Sequence, residues 1–85
     1  MRKPSILITG ANGEIGHGLI EHLAQHDERE LVALDLNPLD ASLAERCRVA
    51  LVGDILDGNL LARLISEFEI HAIYHLAALL STRAE

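Results

Sequence analysis

The chain of 85 residues holds one cysteine, one tyrosine, one phenylalanine, no tryptophan and, in Lys3, a single lysine. Each scarcity excludes something. One thiol forms no internal disulfide and offers no zinc-ligand spacing, so Cys47 reads as structural and no metal site is expected. Two aromatic rings, a net charge of −6 and no basic cluster argue against a nucleic-acid partner, whose phosphates need cations and whose bases stack on rings. No apolar run approaches the roughly 20 residues that span a bilayer, and Met1-Arg2-Lys3-Pro4 leads into a strand-like segment rather than a secretory one. The expectation is a cytoplasmic protein with no membrane partner. At 49% hydrophobic content the chain is long enough for one small core and too short for two domains.

What is present is concentrated in Ile6-Leu7-Ile8-Thr9-Gly10-Ala11-Asn12-Gly13-Glu14-Ile15-Gly16, an apolar run that breaks into glycines three apart and continues as an amphipathic segment. It reads as strand, turn, helix. Gly10 suits the tight turn, Gly13 lets a ligand approach the backbone, and Gly16 lets the helix pack closely on the sheet. The first N–H groups of a helix lack intrahelical acceptors and its N-terminus carries about half a positive charge, so a pyrophosphate is favoured there. The plainer alternative is a glycine-rich turn with no ligand.

Ser5 to Thr9 is a continuously apolar strand of the kind buried on both faces in parallel sheets. From Glu14 to His26 the apolar Ile15, Leu19, Ile20, Leu23 and Ala24 recur at helical spacing, with Glu21, His22, Gln25 and His26 opposite. A second strand, Leu31 to Leu36, ends at Asn37-Pro38; residues 39–46 form one or two helical turns; Arg48 to Val52 is a third strand closed by Gly53-Asp54. Asp57 is placed to cap a helix running to about Phe68 with Leu60, Leu61, Leu64 and Ile65 as its buried stripe, and His71 to Ala78 reads as a fourth strand. Such alternation, with short connections, calls for a parallel sheet with right-handed crossovers. Three strands of one mononucleotide-binding half take the order 3-2-1, and the fourth then pairs with the free side of the first, giving 3-2-1-4 with helices on both faces. Ligands of these sheets bind beyond the carboxyl ends of the strands at the reversal, where residues 10–16, 35–37, 54–55 and 77–81 converge.

Asp35 stands nineteen residues after Gly16 at the end of the second strand, close to the interval of about 20 at which an acid receives adenosine ribose hydroxyls. A carboxylate there repels a 2′-phosphate, and Leu36 and Asn37 follow it where NADP readers supply an arginine. The expected cofactor is NAD, with an acid that merely ends a strand as the alternative.

Taken together, Thr9 to Gly16, Asp35, Gly53-Asp54-Ile55 and Tyr74-His75-Leu76-Ala77-Ala78 resemble the extended, epimerase/dehydratase-like branch of the short-chain dehydrogenase/reductases over nearly the whole chain. The resemblance implies a Rossmann-type NAD-binding domain of which residues 1–85 are the amino-terminal, incomplete part. It implies pyrophosphate contacts along Gly10, Asn12, Gly13, Glu14, Ile15 and Gly16, with the Glu14 side chain turned away, and ribose contacts at Asp35, Leu36 and Asn37. It further places Asp54 and Ile55 against the adenine, and Leu76, Ala77 and Ala78 beside the nicotinamide ribose. The string Ile73 to Ser81 is most similar to the short-chain type of L-threonine 3-dehydrogenase, in which the serine matching Ser81 faces the substrate; sugar-nucleotide epimerases and dehydratases share its first part. The substrate would be an amino acid or a sugar nucleotide, and the full-length protein a homo-oligomer.

One departure limits the chemistry. The family's acid/base tyrosine is followed four residues later by a lysine, yet the only tyrosine is Tyr74, Ala78 stands four residues on, and Lys3 is the only lysine. No catalytic residue is assigned within 1–85, Tyr74 is read as packing on the third helix or on a further one, and a non-catalytic nucleotide-binding module stays open. Of the histidines, His22 and His26 read as a solvated helix face. His71 and His75, about 13 Å apart on one strand face, are too far apart for one ion, and His75 is expected to be buried and hydrogen-bonded.

Overall fold

A computed structural model describes residues 3–76. In chain order the elements are β1 (Pro4–Thr9), α1 (Glu14–His26), β2 (Glu30–Asp35), α2 (Ala41–Ala44), β3 (Val49–Val52), α3 (Gly58–Glu67) and β4 (Glu69–His75). The strands form one parallel sheet in the order β3-β2-β1-β4, as expected.

The run Ile6-Leu7-Ile8 is buried throughout because β1 is central and covered on both sides. Ile6 and Ile8 join Ile20 and Leu23 of α1, Leu31, Ala33 and Leu43 in one cluster, while Leu7 joins Val32, Leu34 and Leu64 of α3 in the other. The alternation of Ile6, Leu7 and Ile8 between clusters is the period-2 alternation of a strand, and it sets α1 and α2 on one face and α3 on the other. Burying a Leu or Ile side chain is worth roughly 1.5–3 kcal/mol, so these twelve buried apolar residues carry the fold. Cys47 packs half-buried at the edge of the α1-side cluster, its thiol against the Leu43 carbonyl at 3.6 Å, and burial pushes its pKa up. That is a structural, protonated thiol.

Helix α3 is capped as expected, with the Asp57 carboxylate accepting from the N–H groups of Asn59 (3.1 Å) and Leu60 (3.2 Å). Its stripe is narrower than the sequence predicts. Leu64 is fully buried and Leu60 and Leu61 partly so, but Ile65 is 57% exposed, since no strand among the described residues backs that flank.

Ile15 is likewise exposed rather than core-facing. Helical side chains lean toward the N-terminus, so a first-turn residue reaches past the end of the sheet it would pack on.

Strand β4 departs most from expectation. It begins at Glu69, two residues earlier than predicted, and its register on β1 slips between Ser5↔Ile70 and Ile6↔Ala72, leaving His71 as the extra residue of a bulge. His71 pairs instead with Glu69 of its own strand, Nε2 to Oε2 at 3.1 Å. His75 is exposed, correcting the burial expected of it, because β4 is an edge among the described residues; it does form the expected hydrogen bond, Nδ1 to Thr9 Oγ1 at 2.7 Å. Tyr74 pairs with Ile8, is 37% exposed and joins neither cluster, so it does not pack on α3.

Gly18 lies mid-helix in α1, exposed, with nothing within 4 Å of an added Cβ. Glycine in a helix interior costs roughly 0.5–1 kcal/mol relative to alanine. Gly18→Ala should therefore raise stability by about that amount, read as a higher midpoint in urea at unchanged m-value.

Candidate functional site

The turn leaving β1 is closed against β2. Gly10 takes a φ of +71°, open to glycine without strain, and the N–H groups of Gly10 (2.9 Å) and Ala11 (3.3 Å) both donate to the Leu34 carbonyl. The chain then doubles back, and α1 starts with Gly13 as N-cap, whose carbonyl accepts from His17 N–H at 2.9 Å. Gly13 supplies no capping side chain. Among the described residues nothing accepts from the N–H groups of Glu14, Ile15 and Gly16, so three donors at the positive end of a 13-residue helix are left unpaired.

The glycines divide the work differently from the sequence reading. A Cβ at Gly16 would fall inside the Ala11 carbonyl, 2.6 Å from its carbon and 2.8 Å from Ala11 Cα, so this glycine lets the helix pack on its own turn rather than on the sheet. A Cβ at Gly13 would meet only the Gly10 oxygen at an ordinary 3.7 Å, in an extended backbone any residue adopts. Nothing among the described residues demands glycine there. The space in front of Gly13 is what a Cβ would fill and what a bound phosphate would use.

Asp35 ends β2 half-buried, and both carboxylate oxygens are anchored. Oδ2 accepts from the Asn12 N–H at 3.0 Å, and Oδ1 accepts from the Asn37 N–H at 2.9 Å. One acid thus ties the end of β2 to the glycine turn and closes its own loop. Each oxygen keeps a lone pair for a further donor, so the group is oriented before anything binds. Asn12 is held a second time, through its side chain: Oδ1 meets Nε2 of His17 at 3.3 Å. Periodicity alone places His17 on α1 with no role, and nothing in the sequence signals this contact.

The third loop follows β3. Asp54 Oδ1 accepts from Leu56 N–H at 2.9 Å and the Asp54 carbonyl from Asp57 N–H at 2.9 Å, folding residues 54–57 into a turn beside α3; Ile55 is half-buried against the α3-side cluster. Ile15, Leu36, Val52 and Leu56 stand exposed at this one end of the sheet, unlike the charged turns at the other end. Apolar surface beside a few fixed polar groups is the usual lining of a small-molecule cleft. Leu76 donates its N–H to the Thr9 carbonyl at 3.0 Å, which brings the chain after β4 beside the glycine turn. Ala77, Ala78 and Ser81 lie outside the described residues.

A cavity of about 310 Å³ lies at the opposite end, among residues including Ala24, Asp27, Glu30, Arg46 and Arg48, and no predicted site residue lines it. Two pairs of its charges meet. Arg29 bonds the Asp27 carboxylate at 2.8 and 3.0 Å and holds its pKa down at about 2, and Arg48 sits 3.7 Å from Glu30.

A four-stranded parallel sheet with a positively ended helix behind a glycine turn and an anchored acid closing the next strand is a Rossmann-type nucleotide-binding unit. A profile of the NAD dependent epimerase/dehydratase family matches residues 6–85, and the chain belongs to that family, with NAD as its cofactor. The match agrees with the resemblance to the extended short-chain dehydrogenases. Among curated proteins none matches the chain.

Proposed function

We propose that the chain is the amino-terminal, NAD-binding part of an extended short-chain dehydrogenase. The observation that carries this reading is the pairing of three unclaimed helix N–H groups with a carboxylate already oriented by two backbone donors. In it the N–H groups of Glu14, Ile15 and Gly16 bind the pyrophosphate in the space before Gly13, while the exposed Glu14 side chain stays out of the way. Asp35 accepts the adenosine ribose hydroxyls and excludes a 2′-phosphate. Leu36, Asn37, Asp54 and Ile55 bound the adenine side, and Leu76, Ala77 and Ala78 the nicotinamide side. When bound, NAD supplies the hydride acceptor.

The substrate is read from the string Ile73 to Ser81, which favours L-threonine, with Ser81 facing it. A sugar nucleotide is the second reading, favoured by the family's description. Either reaction needs a general base, which typically contributes 10²–10⁴-fold. Residues 1–85 bring no Tyr-x-x-x-Lys pair to this end of the sheet. The 85-residue chain is therefore expected to bind NAD and turn over nothing.

Assaying it with NAD and L-threonine, and separately with a UDP-sugar, checks this. NADH formation or epimerisation above the protein-free control would mean that the base lies within these residues. In a longer chain carrying the Tyr-x-x-x-Lys pair, threonine oxidation lost on Ser81→Ala would support the first substrate reading, and epimerisation unaffected by it the second.

A further inference from the structure

We propose that His17 is a positioning residue for the cofactor pyrophosphate, acting through the side-chain amide of Asn12. This rests on the reading of residues 10–16 as the pyrophosphate turn. Among the described residues Asn12 is the one residue of that turn held through its side chain as well as its backbone, by Asp35 on the N–H and by His17 on the side-chain oxygen. An amide oxygen only accepts, so the contact at 3.3 Å requires Nε2 of His17 to carry the proton. With its oxygen so engaged, the Asn12 amide keeps its NH₂ group, two donors with no acceptor among the described residues, and in the proposed arrangement these donors face the pyrophosphate of the adjoining turn. Turned the other way, the amide would bring lone pairs toward a dianionic ligand and repel it. His17 thus selects the amide rotamer that adds donors to those of Glu14, Ile15 and Gly16.

The backbone N–H of His17 donates to the Gly13 carbonyl at 2.9 Å, so the residue that closes the first turn of α1 also orients the side chain in front of it. His17 itself touches no cofactor in this arrangement.

The test is calorimetric titration of the full chain with NAD and, in parallel, with adenosine, which has the ribose but no phosphate. His17→Ala is expected to weaken NAD three- to tenfold and to leave adenosine unchanged. His17→Gln, whose amide NH₂ can still donate to Asn12, is expected to restore NAD to within twofold. Asn12→Ala with His17→Ala should be no weaker than Asn12→Ala alone, because the histidine then has nothing to orient. The proposal is overturned if His17→Ala binds NAD as the parent does, if the Gln variant is as weak as the Ala variant, or if adenosine loses as much as NAD. Asp35→Ala separates this from the underlying reading. If it weakens NAD while His17→Ala does not, the positioning role alone fails; if neither affects NAD, the cofactor lies elsewhere.

Discussion

Asp35→Ala is expected to weaken NAD binding by about 2 kcal/mol, roughly thirtyfold, and in combination with Leu36→Arg to turn the preference toward NADP. Two ribose hydroxyls lose a charged acceptor, and hydrogen bonds to charged groups are each worth about 1.5–3 kcal/mol before the compensation that water provides in the open loop. The carboxylate does more than receive ribose. Since Oδ2 holds the Asn12 N–H and Oδ1 the Asn37 N–H, alanine also unties the glycine turn from β2. Asp35→Asn separates the two contributions, keeping one oxygen for a backbone donor while removing the charge that repels a 2′-phosphate. It should recover part of the NAD affinity and tolerate NADP. Dissociation constants for both cofactors, measured on the three variants, check the assignment, and an unchanged NAD/NADP ratio would place the ribose away from Asp35.

Gly16→Ala should be the most damaging single-methyl change in the chain. The new Cβ meets the carbonyl and Cα of Ala11, which are backbone and cannot rotate aside, so either α1 moves off its turn or the turn opens. Overpacking of this kind costs about 3 kcal/mol, and for a domain of this size each kcal/mol moves the melting temperature by about 4–8 °C. The same substitution two residues later, at Gly18, points into solvent and should stabilise. Opposite shifts from one chemical change on opposite faces of one helical turn are a sharp test of the local geometry, read by thermal unfolding of the two variants side by side. Equal shifts would mean that the Ala11 contact does not constrain α1.

Much of this architecture was legible in the chain because local signals and global topology agree. Alternating strand and helix patterns, short connections and an acid one βα unit after the glycines lead to the observed strand order and to Asp35 at the end of β2. The Asp57 cap was legible too, since a carboxylate before an amphipathic run has one economical partner. What escaped depends on where elements end relative to one another. Ile15 and Ile65 fit a helical stripe by spacing, yet Ile15 reaches past the end of the sheet and no strand among the described residues backs the flank of Ile65. His75 sits in an apolar run, but an apolar run on an edge strand is not buried. The bulge at His71 has no sequence signature, being a consequence of how β4 meets β1. In the candidate site the glycines, the acid and the loop positions came from spacing, whereas the second grip on Asn12 by His17 came from side-chain geometry five residues apart.

The central position of β1 has a consequence for how the chain emerges during synthesis. Its first partner, β2, follows it closely, and β3 can pair soon after, but its other neighbour is β4. From the end of β2 at Asp35 to the start of β4 at Glu69 the chain runs 34 residues. At about 5–20 residues per second that interval lasts roughly 2–7 s, during which a ribosome-bound sheet of two and then three strands displays the main-chain groups of Ile6-Leu7-Ile8 along an open edge. An unpaired apolar edge of that kind is where neighbouring nascent chains would join. The most buried strand of the finished fold is thus, for those seconds, its most exposed liability, and the arrival of β4 is the event that retires it.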